Sequence, residues 1–363
     1  MIKEGKFGAH EMICLVVIAM TNKALFSTVS RFLDLTATSA WIMTLVSCAS
    51  ASLLFIFVYK LLKRFPGKGL IEIFSIVLGR TVGFVFSFMF VVAILFCSSM
   101  LIREFSAISQ EYVFPNTPRS SIGIAMLLPV VLASYFGLES IARFAKFTAY
   151  FALVSIALLL VMAAPYYDIT NIYPLMGFGL DVTVWEGLVR TCTYSEVIFI
   201  AILAGSMNGI KQIKKAGFIS LFASGLIICV VLLVSVLVLS YPLGQEQMAP
   251  LFVIARQINL GHFFERLDPL FLYLWFVTTI ISVAIEFYVG ISIYCKTFRL
   301  QDHRPVILPA AITVFAVSFL PKDFTAVEDA LLFIRSYGIF IVFLTPIIAL
   351  VVSLMRKKKG APA

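Results

Sequence analysis

The chain has 363 residues, of which 61% are hydrophobic and only 13% are charged, and its mean hydropathy is +1.04. Because a soluble domain carries about 25% charged residues, this composition indicates a polytopic α-helical membrane protein. The apolar runs are continuous over roughly 20 residues, which excludes the alternating pattern of a membrane β-barrel. The net charge of +9 does not indicate nucleic-acid binding, since the basic residues stand in short clusters between apolar runs.

Apolar runs separated by charged, Pro and Gly breaks predict ten membrane spans. The loops between them are short, so we expect one membrane domain over residues 1–363. The predicted spans lie near residues 10–32, 39–62, 82–103, 121–138, 146–164, 190–208, 216–240, 269–295, 305–320 and 330–355.

Most of the 28 Lys and Arg residues fall on the side of the membrane that holds the N-terminus, as in the cluster from Lys60 to Lys68 and the run from Arg356 to Lys359. By the positive-inside rule, both termini are predicted to be cytoplasmic. Lys23 is left within the membrane.

Three segments are not simple spans. Residues 69–81 place their apolar side chains at helical spacing but are too short to cross the bilayer, so they predict an amphipathic helix at the cytoplasmic interface. Residues 165–189 and 241–268 are long and rich in Pro, Gly and aromatic residues, and they are predicted to form outer loops that cover a site or dock a partner.

Motifs for catalysis are absent from the sequence, which has no G-x-S-x-G, no H-E-x-x-H and no phosphate-binding loop with its lysine. The six cysteines lie in apolar runs without C-x-x-C spacing, and the three histidines are scattered. We therefore expect a protein that is not an enzyme and that uses no metal or cofactor.

The ten spans divide into two sets of five, at about residues 10–164 and 190–355. Because five is an odd number, the second set is inverted relative to the first. This is the layout of inverted-repeat transporters, in which the first helix of each half is broken at mid-membrane and the substrate binds between the halves. The sequence therefore predicts broken spans 1 and 6.

Polar residues occur at both predicted breaks. Lys23 in span 1 and Glu196 in span 6 are both estimated to lie slightly outside the midplane, so they are able to form an ion pair, and buried ionisable groups in membranes usually have a function. The candidate ligand-binding residues are Thr21, Asn22, Lys23, Ser98, Thr193, Tyr194, Ser195 and Glu196.

Two alternatives stay open for the charged pair and one for Ser98. The ion pair can be purely structural, or Lys23 can extend outward to the interface without meeting Glu196. Ser98 can be a small residue that permits close helix packing.

Glu286 lies in span 8 on a polar stripe with Thr279, Ser282 and Gly290, spaced three or four residues apart. We interpret Glu286 and Ser282 as candidates for coupling to an ion or a proton. The alternative is a neutral carboxylic acid that is hydrogen-bonded to a neighbouring helix.

A series of short motifs, in order along most of the chain, resembles the endospore germination permease family, the B subunits of bacterial spore germinant receptors. The motifs are Arg64-Phe65-Pro66-Gly67-Lys68, Leu70-Ile71-Glu72-Ile73, Leu78-Gly79, Gly83, Leu101-Ile102-Arg103-Glu104-Phe105, Thr117-Pro118, Tyr173-Pro174-Leu175 with Gly177, Glu196, and Phe264-Glu265-Arg266-Leu267-Asp268 with Trp275.

The resemblance implies a fold of the amino acid–polyamine–organocation transporters, which are related to the leucine transporter. It also implies location in the spore inner membrane, A and C partner subunits, and a nutrient pocket between spans 1, 3, 6 and 8. The family often has glycine at both breaks, whereas this chain has Met20 to Lys23 and Thr193 to Ser195. Here we expect side chains in place of exposed backbone to face the ligand.

The leading hypothesis from the sequence is a receptor subunit that binds a small nutrient, such as an amino acid, and signals germination. The alternative from the same class of fold is a proton-coupled secondary amino acid transporter. A third hypothesis is a membrane scaffold that docks partners through its outer loops.

Overall fold

The computed structural model describes residues 8–207, 209–259 and 268–360. Fifteen α-helices make up most of these residues. They are α1 (Ala9–Thr21), α2 (Thr28–Thr36), α3 (Ala40–Arg64), α4 (Leu70–Leu78), α5 (Arg80–Tyr112), α6 (Arg119–Phe136), α7 (Leu138–Met162), α8 (Leu180–Val189), α9 (Val197–Ile202), α10 (Ile210–Gln245), α11 (Pro250–Gln257), α12 (Asp268–Phe298), α13 (Arg304–Ser318), α14 (Phe324–Tyr337) and α15 (Thr345–Met355).

Seven helical stretches in the described residues are long and apolar enough to cross a membrane. The prediction of a multi-pass α-helical membrane protein is thus confirmed. The remaining predicted spans consist of shorter pieces, namely α1 with α2, α8 with α9, and α13. The count of ten spans and the inverted repeat stay predictions.

Both predicted helix breaks are present. A 3₁₀ turn over Asn22–Leu25 separates α1 from α2, and Phe26 after it is extended. A second 3₁₀ turn over Thr191–Tyr194 separates α8 from α9. Backbone groups released at such breaks need partners inside the protein, because lipid offers none.

The predicted start of span 6 near residue 190 was wrong, since the helix begins at Leu180. Residues 180–189, which the sequence assigned to an outer loop, contain polar side chains that find partners within the protein. Thr183 hydrogen-bonds to Ser39, with 2.6 Å between the hydroxyl oxygens, and Glu186 pairs with Arg190 at 2.6 Å. These contacts allow a polar sequence to form the first half of a broken span.

The other predicted outer loop, 241–268, also contains helix, because α10 resumes after a kink at Ser240 and runs to Gln245, and α11 occupies Pro250–Gln257. The motif residues Phe264 to Leu267 lie outside the described residues.

The helix α4 matches the amphipathic segment predicted at 69–81. The C-terminal tail contacts its last turn, where Lys358 Nζ donates to Ile76 O at 2.7 Å and Arg356 Nη1 donates to Val77 O at 3.3 Å. Cations at the end of a helix satisfy carbonyls that have no partner in the helix and oppose the negative end of its dipole.

Span 10 is interrupted by a π-helical turn over Phe340–Leu344, directly before α15. Pro346 is the second residue of α15. Proline lacks the amide hydrogen and crowds the preceding turn, so a widened turn before it relieves both constraints.

Close packing of α8 on α3 holds the outer half of span 6 in place. A Cβ atom added at Gly187 would lie 2.7 Å from Val46 Cβ and 2.9 Å from Met43 O. The carbonyl of Gly187 also accepts a hydrogen bond from Ser47 Oγ at 2.7 Å. A small residue is therefore needed here for the two helices to approach.

We predict that Gly187→Ala lowers the free energy of unfolding by about 1–3 kcal/mol, because the new methyl group overlaps backbone and a branched side chain that cannot rotate away. Thermal unfolding in detergent measures the effect. Gly123→Ala in α6 is the matched control, since its Cβ would have no neighbour closer than 3.4 Å. Equal melting temperatures for the two variants would contradict the prediction.

Candidate functional site

An ion pair joins the two helix breaks. Lys23 Nζ lies 2.8 Å from Glu196 Oε1 and 2.8 Å from Glu196 Oε2, and it donates to Thr193 O at 2.5 Å. The side chains are 14% and 6% exposed, respectively. Span 1 and span 6 are thus connected at their breaks by a largely buried charge pair, as the sequence had suggested, and Lys23 does not extend to the interface unpaired.

Asn22 connects the break in span 1 to α12. Its Oδ1 accepts hydrogen bonds from Thr278 Oγ1 at 3.3 Å and Thr279 Oγ1 at 3.2 Å. Its Nδ2 is buried and has no hydrogen-bond partner among the described residues. An amide with half of its capacity unused is a group able to bind a ligand or a water.

Three of the other predicted residues make contacts within the protein. Thr21 Oγ1 donates to Val17 O in its own helix at 2.7 Å, and Ser195 Oγ contacts Glu196 Oε1 at 3.4 Å. Tyr194 is fully buried, with its hydroxyl 2.7 Å from Thr44 Oγ1. The hydroxyl of Thr193 is buried without a partner in the described part of the chain.

Glu286 is buried in α12 and reaches α5. Its Oε2 accepts a hydrogen bond from Ser98 Oγ at 3.5 Å, a long contact that contributes little. Ser282 donates instead to Thr278 O in its own helix at 2.9 Å. The structure therefore brings together Glu286 and Ser98, and it does not bring Ser282 to the same contact.

A cavity of about 300 Å³ adjoins the break in span 6. Its walls come from α5, α9, α12, α14 and the π-helical turn. The lining residues are Phe90, Ala93, Ile94, Cys97, Cys192, Ser195, Glu196, Ile198, Phe199, Glu286, Phe333, Ile334, Tyr337, Gly338, Phe340, Ile341 and Val342.

The cavity differs from the pocket that the family resemblance implied. Spans 3, 6 and 8 contribute as expected, but the fourth wall is span 10, and Thr21, Asn22 and Lys23 do not line the cavity. Span 1 reaches it only indirectly, through the pair between Lys23 and Glu196. Hydropathy does not encode which helices become neighbours, so the sequence carried no signal for span 10.

A second buried charged group lies at the start of α2. Glu104 Oε1 accepts hydrogen bonds from the backbone amide of Ser27 at 3.1 Å and from its hydroxyl. Arg335 Nη2 donates to Thr28 Oγ1 at 2.7 Å. Both charged side chains are buried, at 1% and 7% exposure.

Sequence reasoning missed this group because it ended span 3 near residue 103, just before Glu104. In the structure α5 continues to Tyr112 and carries Glu104 inside the protein. The absence of any Pro or Gly between Gly83 and Pro115 was the signal that the helix continues.

Helical membrane architecture, two broken spans and a cavity beside the second break together indicate a transporter-type fold. The solved structure of a nucleobase-cation-symport-1 family transporter, in a closed conformation with bromovinylhydantoin bound, has the same fold, with a TM-score of 0.68 and 11% sequence identity. The alignment covers 97% of this chain and 90% of that one.

This chain belongs to the spore germination protein family, whose sequence profile matches residues 6–327. Spore germination protein KB of Bacillus subtilis (strain 168) is 21% identical over 321 residues, which cover 87% of this chain and 85% of the relative. Spore germination protein GerLB of Bacillus cereus is 21% identical over 325 residues, which cover 88% and 86%, respectively.

We predict that Lys23→Met and Glu196→Gln each lower the free energy of unfolding by about 3–5 kcal/mol, because each leaves the other charge buried without its partner. The double variant should lose clearly less than the sum of the two single variants. Thermal unfolding of all four proteins in detergent measures the interaction. Additive losses would contradict a direct pair between Lys23 and Glu196.

Proposed function

We propose that this chain is the membrane-embedded B subunit of a spore germinant receptor, which binds a small nutrient at mid-membrane and signals germination. Membership in the spore germination protein family supports a role in germination, and the transporter-type fold supports the binding of a small ligand. The single observation that carries the proposal is the buried pair of Lys23 and Glu196, which joins both helix breaks beside a cavity.

The proposed ligand lies against Ser195, Glu196 and Glu286 in the cavity. Span 1 acts on it through Lys23, which holds Glu196 from the opposite side. A ligand that contacts Glu196 alters the strength of its pair with Lys23 and so changes the free-energy difference between two arrangements of span 1. Only a difference in affinity between these arrangements produces a signal.

The receptor is proposed to lie in the spore inner membrane with both termini on the cytoplasmic side, and to act with A and C subunits. The distribution of Lys and Arg supports the orientation. Membership in the spore germination protein family supports the spore location, and the A and C subunits are proposed from the motif resemblance alone.

A proton-coupled amino acid transporter is the second candidate, and Glu286 favours it. This carboxyl group is buried and lines the cavity, and its one hydrogen bond among the described residues is the long contact to Ser98. A group so placed is suited to carry a proton together with a substrate. Substrate uptake into proteoliposomes that stops when the proton gradient is dissipated would establish transport.

We predict that spores carrying Lys23→Met/Glu196→Gln lose the response to their nutrient by at least about tenfold in potency, since the connection between the two breaks is removed while no charge is left stranded. The measurement is the loss of spore refractility against nutrient concentration, with protein amounts verified by immunoblot.

Arg143→Met/Glu139→Gln is the matched control, because it removes an exposed ion pair with atoms 2.5 Å apart on α7, away from the cavity. Equal responses in the two double variants, at equal protein amounts, would overturn the assigned role of Lys23 and Glu196.

A further inference from the structure

The described wall of the cavity contains acidic side chains and no basic ones. Two of its lining side chains are ionisable carboxylates, Glu196 and Glu286, and its lining contains no Lys, Arg or His. A ligand that enters the cavity therefore meets carboxyl groups that are able to pair with a cation. It meets no side-chain cation within the described wall.

The nearest cation to Glu196, Lys23, is already fully used. An ammonium group has three hydrogens to donate. Lys23 Nζ makes contacts to both carboxylate oxygens of Glu196 and to Thr193 O. It is thus not free to bind the carboxylate of a ligand without breaking the pair that joins the two helix breaks.

The carboxylate of Glu286 has no such cationic partner among the residues that the structure describes. Within residues 8–207, 209–259 and 268–360, it forms no ion pair, and its hydrogen bond to Ser98 spans 3.5 Å. A buried carboxylate gains most from a neighbouring positive charge, because the surroundings screen the interaction weakly.

The remaining walls are apolar and rich in aromatic rings, which come from Phe90, Phe199, Phe333, Tyr337 and Phe340. Aromatic faces attract cations and cover apolar surface at the same time. A bare metal ion would find few oxygen atoms here, whereas a compact organic molecule would bury most of its surface, as ligands in protein pockets do.

We propose that this cavity binds a protonated amine carried on an apolar body, with the ammonium group on the Glu286 carboxylate and the body among the aromatic rings. This inference rests on the proposed function and narrows it, since it excludes zwitterionic amino acids and anionic nutrients as preferred ligands. Lys23 neutralises Glu196 but not Glu286, and the positive charge of the ligand would neutralise Glu286.

The test uses three compounds that share one phenyl-alkyl body and differ in charge: phenethylamine, L-phenylalanine and 3-phenylpropionate. Each is titrated against the full chain purified in lipid nanodiscs at constant ionic strength, and the shift in melting temperature gives the affinity. We expect the amine to bind at least about tenfold more tightly than either carboxylate compound, since only the amine pairs with Glu286 and brings no second charge into the cavity.

Glu286→Gln should reduce amine affinity by at least about tenfold and should not weaken the binding of 3-phenylpropionate, which has no ammonium group to pair with Glu286. Glu139→Gln, the same substitution at an exposed position on α7, should change nothing. The ranking of the three compounds on the unmodified chain tests the proposal even if Glu286→Gln does not fold.

The outcomes separate the two proposals. Tighter binding of phenylalanine or phenylpropionate than of phenethylamine would contradict the proposed preference for an amine. The proposal of a nutrient-binding cavity would stand. Amine binding that Glu286→Gln does not weaken would overturn the role of Glu286. If none of the three compounds, nor any member of a panel of sugars, nucleosides and aliphatic amino acids, shifts the melting temperature, both the cavity ligand and the proposed receptor function fail together.

Discussion

The pair of Lys23 and Glu196 is the interaction on which the centre of this molecule depends. Each charge alone is costly in an apolar interior, and together they offset much of that cost. Because one comes from the break in span 1 and the other from the break in span 6, the pair also decides how the two broken helices sit relative to each other. Thr193 O, released from helical hydrogen bonding by the 3₁₀ turn, adds a third acceptor for the ammonium.

The broken helices make that arrangement possible. A continuous helix uses its carbonyls internally and offers only side chains to a neighbour, whereas a turn at mid-membrane exposes backbone groups within the protein. The buried group around Glu104 follows the same principle. Glu104 accepts a hydrogen bond from the backbone amide of Ser27 just before α2 begins. Charged side chains thus stabilise both ends of the interruption in span 1, on either side of Phe26.

The features that could be predicted from the sequence are those that depend on the residues of a single segment. Lys23, Glu196 and Glu286 stood out because each interrupts a long apolar run, and the breaks were predicted from the division of ten spans into two sets of five, with polar residues at both positions. The outer half of span 6 was not predictable from hydropathy. It contains the charged residue Glu186, which forms an ion pair with Arg190 in the folded protein. The wall that span 10 gives to the cavity depends on packing between distant segments, which no local pattern records.

The wall formed by span 10 has a consequence for how a ligand arrives. Phe333 and Phe340 line the cavity but are also 64% and 57% exposed, and they belong to a helical stretch that is apolar and long enough to cross a membrane. A molecule dissolved in the bilayer is therefore concentrated beside this wall in proportion to its partition coefficient. For compounds of equal intrinsic affinity, the concentration needed in water would fall as their lipid solubility rises, so the composition of the membrane itself would help to set the sensitivity of the protein.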